Sequence, residues 1–390
     1  MDTIPHFSQS YVEARAKFIA AARDRKARVF HEVHPSERGA QGEELSMDLA
    51  RLGDERAPGL LLLSSGTHGV EGFCGSGCQV ALLHDDVFLS ELQRAGVAVL
   101  MIHAVNPYGF SHLRRVNEDN VDLNRNFMNF SQPLPDNAEY AQLHPYLLPS
   151  RWPPQAENDA PLGAWLASHG AKAYQAAVTA GQYRFAEGMF YGGTRPAWSN
   201  ATVRAVLRAE GSGRARLAWI DFHTGLGPPG HGEKIYAGRN DAADVARAKA
   251  WWGSDVTSFF DGTSSSARLS GVICCAAYDE CPRTEVTAIG LEYGTYPLEK
   301  VLEVFRAEHW LHNHPEAPED QHDEIKRRMR DAFYIDRDDW KTKVYAQARS
   351  TCLTALRRSA PPRPVRSPSS SPIRATRCRW TRTCSTSLCS

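Results

Sequence analysis

Residues that could bind a metal ion and move protons occur in four short segments that lie far apart in the chain. The segments are SSGTHGVEG (64–72), NEDNVDLNRNF (117–127), WIDFHTG (219–225) and IGLEY (289–293). Two histidines and one glutamate form the ligand set of a catalytic zinc that keeps one position open for water. A further glutamate is a candidate general base, and arginines are candidates for holding a substrate anion. Together the segments predict a metal-dependent hydrolase.

The predicted ligands are His68, Glu71 and His223. The first two lie three residues apart across a predicted strand-to-helix turn, which brings them close enough to bind one ion, and His223 completes the set from another strand. Two neutral imidazoles and one carboxylate leave zinc with a net positive charge, which lowers the pKa of a bound water. Taken singly, each histidine is better explained as a structural residue. Jointly, with the asparagine–arginine motif between them, they predict one zinc per chain.

The elements that must position these residues are strands that alternate with helices. Apolar runs predict strands at 59–64, 96–104, 215–222, 234–237 and 286–292, with two more between 30 and 52, and helices at 8–26, around 79–83 and at 298–312. This alternation predicts an α/β fold, a mostly parallel twisted sheet flanked by helices. His68, His223 and Glu292 each lie at or just after the carboxyl end of a predicted strand, where the ligand sites of such sheets gather.

These motifs resemble the zinc carboxypeptidase (M14-type) superfamily. Within it the chain looks most like the DUF2817 group, a likeness carried by NPYGF (106–110) and LRRVNEDNVDLNRNF (113–127). The strand-to-turn pattern is also similar to the succinylglutamate desuccinylase and aspartoacylase branch. The resemblance covers about residues 55–310 and implies a zinc carboxypeptidase-like fold.

The resemblance implies roles for three residues of the second motif, NEDNVDLNRNF (117–127). Asp122 matches the acidic residue that hydrogen-bonds a zinc-binding histidine, although an aspartate here could instead cap a helix. Asn124 and Arg125 match the pair that binds a substrate carboxylate, a task for which the planar arginine fork is suited.

The resemblance also implies a carbonyl-polarising arginine and a general base. Arg114 or Arg115 matches the arginine. We favour Arg115 for catalysis and leave Arg114 as a substrate-binding candidate. We expect at least one of the two to pair instead with the nearby acidic residues Glu118 and Asp119. Glu292 matches the base, with a structural salt bridge as the alternative. A carboxylate that ends a buried strand needs a partner, and water on zinc would be one.

Two segments fall outside the main pattern. Residues 131–212 form an insert rich in Pro, Trp and Tyr, whose glycine-rich loop at 188–196 either folds over a pocket or forms a surface turn. Residues 357–390 hold eight Arg and no Lys, Asp or Glu, and few aliphatic residues, which predicts a disordered tail. Out-of-frame translation is our leading hypothesis for this tail, and a genuine basic arm is the alternative. We therefore expect one catalytic domain at 1–356.

Charge and composition limit the classes of partner that the protein is expected to bind. Residues 1–356 carry 37 Lys and Arg against 45 Asp and Glu, a net charge of −8, which argues against nucleic acid as a partner. Without a signal peptide or an apolar run of membrane length, we expect a cytoplasmic protein that binds no membrane, with its nine cysteines reduced. Its oligomeric state is open.

The predicted reaction is hydrolysis of an amide in a peptide or small molecule that carries a free carboxylate. Either a C-terminal peptide bond or an N-acyl amino acid would serve as substrate. The alternative is a catalytically inactive, zinc-stabilised binding module. A third hypothesis, a dinucleotide-dependent oxidoreductase, depends only on GLGPPG (225–230), whose two prolines remove the N–H donors that a phosphate site needs.

Overall fold

Seven strands form one sheet in the computed structural model, which describes residues 3–360. They are β1 (Arg28–Arg38), β2 (Glu44–Leu52), β3 (Gly59–Ser65), β4 (Ala98–His103), β5 (Arg216–Pro229), β6 (Gly232–Tyr236) and β7 (Glu285–Gly294). Their order across the sheet is β1-β2-β4-β3-β5-β7-β6.

The four central strands β4, β3, β5 and β7 run parallel, as the sequence predicted. Strands β1 and β2 add to one side and β6 to the other, all in antiparallel pairing. Every residue of β3 and β4 is buried, as expected of strands covered on both faces, whereas the edge strand β1 is mostly exposed.

Helices cover both faces of the sheet. They are α1 (Tyr11–Asp24), α2 (Gly72–Leu83), α3 (Asp86–Ala95), α4 (Pro107–Ser111), α5 (Ala138–Leu147), α6 (Ala156–His169), α7 (Ala171–Thr179), α8 (Trp198–Val206), α9 (Ala242–Trp252), α10 (Ala276–Glu280), α11 (Leu298–Asn313), α12 (Glu319–Phe333) and α13 (Asp338–Ser359). Alternate residues of β3 enter different cores. Leu61 and Leu63 pack in the core that includes α2 and α13, and Leu60 and Leu62 in the core that includes α8 and α10.

The sequence did not predict the last two helices. Helix α12 is amphipathic, and α13 is largely buried. Helix α13 continues three residues into the segment predicted as tail. The tail from residue 361 onward lies outside the described residues. The glycine run at 225–230 ends β5 and turns into β6 rather than opening a helix, which contradicts a phosphate loop there. Within residues 3–360, no helix combines the length and apolar character needed to cross a bilayer.

Candidate metal centre

A tight turn after β3 carries the first two predicted ligands. His68 ends the connection, Glu71 lies in a single 3-10 turn, and α2 begins at the next residue. The backbone N–H groups of Gly69 and Val70 donate to the carbonyls of Arg115 and Arg114, at 3.0 and 2.9 Å. A side chain at Gly69 would collide with the backbone of Gly109, 2.1 Å from its Cβ position. Glycine is therefore required for the turn to lie against this segment.

The three predicted ligands converge at the carboxyl ends of β3 and β5. His68 Nδ1 lies 2.9 Å from Glu71 Oε1. His223 Nδ1 lies 3.2 Å from His68 Nδ1 and 3.1 Å from Glu71 Oε2. Zinc bonds of about 2.0–2.1 Å in a tetrahedral site place ligand atoms about 3.3–3.4 Å apart. The spacing of the donors fits one ion, and this triple is a potential metal-binding group among the described residues.

Carboxylates behind both histidines explain why the Nδ1 atoms face each other. His68 Nε2 lies 3.1 Å from Asp122 Oδ1, and His223 Nε2 lies 2.6 Å from Asp221 Oδ2. When each Nε2 carries the proton and donates to its aspartate, the two Nδ1 lone pairs and the carboxylate of Glu71 all point at one another. Such an arrangement favours a cation between them, and partners of this kind orient metal ligands.

The electrostatics of the cluster agree with a site for positive charge. Burial alone would lower the pKa of His223, but the carboxylates of Asp221 and Glu71 outweigh it and raise that pKa well above the usual value. Burial alone would likewise raise the pKa of Glu71, which the charge of His68 and a hydrogen bond from His223 instead lower. A proton or a metal ion is therefore strongly attracted to this point.

Asp221 is a functional candidate that the sequence analysis missed. Its Oδ1 atom accepts hydrogen bonds from Ser64 Oγ at 2.6 Å and from Thr67 Oγ1 at 2.9 Å, while Oδ2 faces His223. The sequence could have indicated Asp221, because it is a charged residue within an apolar strand and lies two residues before the predicted ligand His223. Residues two apart in a strand lie on the same face of the sheet.

Glu292 lies beside the three ligands on the adjacent strand. It is the register partner of His223 in the parallel pair β5–β7, and it lines the same pocket. One carboxylate oxygen accepts a hydrogen bond from the backbone of Leu226 at 3.0 Å. Burial, with the neighbouring charge of Glu71, raises the pKa of Glu292 to about 8. Within residues 3–360, no arginine or lysine donates a hydrogen bond to this carboxylate. The structural salt bridge that was the alternative role of Glu292 is therefore not present among these residues.

The two neighbouring arginines have separate environments. Arg115 reaches the cluster, where Nη1 donates to Glu71 Oε1 at 2.9 Å and Nε donates to Asp122 Oδ2 at 3.1 Å. Its Nη2 lies 2.8 Å from His68 Nε2, a hydrogen bond only when that nitrogen is unprotonated. Metal binding at Nδ1 would select the other tautomer and release this Nη2 group.

Arg114 is buried and is not among the residues that line the pocket, so its position does not support the predicted substrate-binding role. Its Nε donates to Glu308 at 2.7 Å, and its Nη2 donates to Asn120 at 3.0 Å. We expected one of the two arginines to pair with nearby acidic residues. The partner is instead Glu308 of α11, which is distant in sequence.

Asp122, Asn124 and Arg125 also gather around the pocket. Asp122 both caps the 3-10 turn at 123–125, through the N–H of Asn124, and approaches His68, so both of its expected roles occur together. Asn124 Oδ1 accepts from the backbone of Ile273 at 2.9 Å. Arg125 donates to the carbonyls of Thr179 and Asn124, which leaves about two of its five N–H groups for a ligand.

The pocket extends from the cluster between β5, β7, α11 and the insert. Phe190, from the glycine-rich loop of the insert, forms part of its wall. The loop therefore folds over a pocket, which was one of the two predicted possibilities.

Comparisons with known proteins come from a family model and from solved structures. The model described as "Protein of unknown function (DUF2817)" matches residues 7–347. No curated protein matches the sequence. The chain is similar to carboxypeptidase A from Helicoverpa armigera, at 13% identity over 83% of this chain and 74% of that chain, with a TM-score of 0.39.

Two further structures show similar likeness. Bovine thrombin-activatable fibrinolysis inhibitor, in complex with tick carboxypeptidase inhibitor, is 12% identical over 88% of this chain and 98% of that chain, with a TM-score of 0.46. A metallo-carboxypeptidase from Burkholderia cenocepacia is 13% identical over 82% of this chain and 67% of that chain, with a TM-score of 0.39.

Proposed function

The chain belongs to the DUF2817 family, as its motifs predicted, and we propose that it is a zinc-dependent amide hydrolase. Its substrate would carry a free carboxylate near the scissile bond, as a peptide with a free C-terminus or an N-acyl amino acid does. The observation that carries the proposal is the convergence of His68, Glu71 and His223 beside a buried glutamate that has no arginine or lysine partner within residues 3–360. Mixed imidazole and carboxylate ligands are typical of catalytic zinc.

These three residues would hold the zinc, which when bound supplies a Lewis acid and acidifies water at neutral pH. Glu292 takes a proton from the attacking water and later gives it to the leaving nitrogen. Burial favours the protonated form of this carboxyl group, and a nearby cation favours the ionised form. The balance keeps Glu292 able to accept and release a proton near neutral pH.

The remaining polar groups would bind the substrate. The Nη2 group of Arg115, released from His68, would donate to the carbonyl oxygen on which negative charge develops. The free N–H groups of Arg125, with help from Asn124, would bind the substrate carboxylate.

A test combines metal analysis with Glu292→Gln, which keeps the shape of the side chain and removes the base. We expect about one zinc per chain in both proteins, and turnover of N-acyl amino acids and dipeptides about 10²–10⁴-fold lower in the variant. Glu299→Gln makes the same change at an exposed position of α11 and should leave the rate unchanged.

Two outcomes would contradict the proposal. A purified protein that binds no transition metal would remove its basis. A protein that binds zinc but hydrolyses no member of the panel would favour the inactive, zinc-stabilised binding module instead.

A further inference from the structure

We infer that Phe190, supplied by the insert at 131–212, is a specificity-determining residue that makes the pocket select a carboxylate attached to a large apolar group. The inference rests on the proposed function and names the substrate class of the same site.

The backbone at Phe190 is held in an unfavourable conformation. Its φ is +53°, a value that a bulky residue rarely adopts and that persists only where its surroundings impose it. The carbonyl of Phe190 accepts from Gln182 N at 3.1 Å, and the next carbonyl, of Tyr191, accepts from Asp122 N at 2.7 Å. Backbone hydrogen bonds thus fix both Phe190 and the residue that follows it.

Side chains of the 117–127 motif hold the same loop. Asn120 Nδ2 donates to the carbonyls of Ala186 and Gly188, at 2.9 and 3.1 Å. Asn126 Nδ2 donates to Gly192 O at 2.8 Å. The buried Arg114 in turn donates to Asn120. Much of the motif therefore positions the insert rather than touching substrate, which gives the buried arginine a structural purpose.

The ring of Phe190 lies between the two arginines of the pocket. The Cζ atoms of Arg115 and Arg125 are 5.4 and 5.7 Å from its centroid, and the ring of Phe305 meets it edge-on at 5.0 Å. Guanidinium groups stacked on an aromatic ring keep their N–H edges available for an anion. The ring therefore orients the groups that would bind the carboxylate and carbonyl of one substrate.

The rest of the lining is mostly apolar, and its uncharged polar side chains are those of Asn124, Gln175, Thr179, Thr224 and Ser266. The charged lining residues are His68, Arg115, Arg125, Asp221, His223 and Glu292, all of which already have roles in the centre. Beyond them the wall includes Phe259, Leu269, Ile273, Leu302 and Phe333. A charged substituent placed against this part of the wall would lose its hydration without gaining an oppositely charged partner, whereas an aromatic or branched aliphatic group would gain by burial.

The experiment measures binding rather than turnover, on zinc-loaded full-length protein. The probes are propanoate and 3-phenylpropanoate, which share a carboxylate and differ by a phenyl ring, so that direct contacts of the carboxylate with metal or arginine cancel in the ratio of their Kd values. We expect wild type to bind 3-phenylpropanoate tighter by on the order of 10–100-fold. Phe190→Ala should reduce this preference at least about fivefold, and Phe190→Leu should fall between.

Phe185→Leu is the matched control, because Phe185 lies in the same insert but stacks on His144 at 3.9 Å rather than on the pocket arginines. It should leave the preference unchanged. Thermal unfolding identifies any variant that fails to fold. If Phe190→Ala fails to fold, the preference measured for Phe190→Leu tests the inference.

Equal affinity for both probes in wild type, or an unchanged preference in Phe190→Leu and Phe190→Ala, would overturn the inference. If the protein does not catalyse the proposed hydrolysis, neither of these binding results follows, because a protein without turnover can still prefer 3-phenylpropanoate. Conversely, hydrolysis without the preference would leave the proposed reaction standing and remove this specificity.

Discussion

Which ring nitrogen carries the proton decides what His68 and His223 can do. Each has an aspartate at Nε2, so a proton on Nε2 would face a carboxylate and leave an unprotonated Nδ1 facing the other ligands. A neutral imidazole binds metal only through its unprotonated nitrogen. In the proposed zinc site, Asp122 and Asp221 would therefore contribute to metal affinity without touching the ion.

Asp221→Asn should weaken zinc binding by about 10–100-fold, because an amide cannot orient and polarise His223 as a carboxylate does. Competition with a chromogenic chelator would measure the change in Kd. Asp24→Asn, an exposed site at the end of α1, provides the control and should bind zinc as wild type does. Unchanged affinity in the Asp221 variant would show that this network serves only the fold.

Residue types and spacing predicted much of the site, and its missed parts depend on long-range contacts. His68, Glu71 and His223 could be proposed because their chemistry is scarce and each follows a strand. The roles of Arg114 and Arg115 could not be separated, because both are basic neighbours and the difference is made by Glu308 on α11. Nothing local to the arginines indicates which one meets that carboxylate.

At the scale of elements, continuous apolar runs identified the central strands, whereas α12 was missed. Its buried residues are Ile325, Met329, Ala332 and Phe333, a correct helical spacing within a segment that is otherwise strongly charged. Such a helix depends on packing, here largely on α11, more than on its own sequence. Phe333 then reaches the pocket, a contribution that no local pattern could predict.

Strand β4 ends in a buried histidine that should make stability depend on pH. His103 Nε2 lies 2.9 Å from Ser76 Oγ, and its ring stacks on Phe18 at 4.6 Å. Burial lowers its pKa to about 4. Between an unfolded value of about 6.5 and this folded value, the unfolded chain binds more protons, so this group reduces stability as the pH falls.

We expect His103 to account for about 2 kcal/mol of the loss in unfolding free energy between pH 7.5 and pH 5. His103→Gln should therefore lose less stability over this interval, even if it starts lower at pH 7.5. Urea unfolding of both proteins at both pH values measures the difference, and zinc loss at low pH affects them alike. His322→Gln, on an exposed face of α12, should behave as wild type. Parallel losses in all three proteins would contradict the assignment.

At the scale of the whole molecule, α13 joins parts of the chain that are far apart in sequence. It packs against α2, α3 and α9 and against strands β3, β5 and β6. Its last turn lies beside the first residues of β3 and β5. Ser359 O is 2.2 Å from the position that a Cβ atom would take at Gly59, and Arg216 donates to the carbonyl of Ala360 at 3.1 Å. The folded unit therefore includes the chain through residue 360.

This placement predicts that truncations on either side of α13 will differ sharply. Ending the chain after Ala360 removes only the Ser-, Pro- and Arg-rich segment, which has too few aliphatic residues to form a core, and should shift Tm by less than about 2 °C. Ending it after Asp336 removes the buried side chains of Trp340, Val344 and Leu356. At about 1.5–3 kcal/mol for each large apolar side chain, α13 accounts for a large share of a typical stability of 5–15 kcal/mol, so this protein should not fold. Differential scanning calorimetry of both truncations, with zinc content as a second measure, tests the boundary. A fall of more than about 4 °C in the longer one would mean that residues beyond 360 pack on the domain.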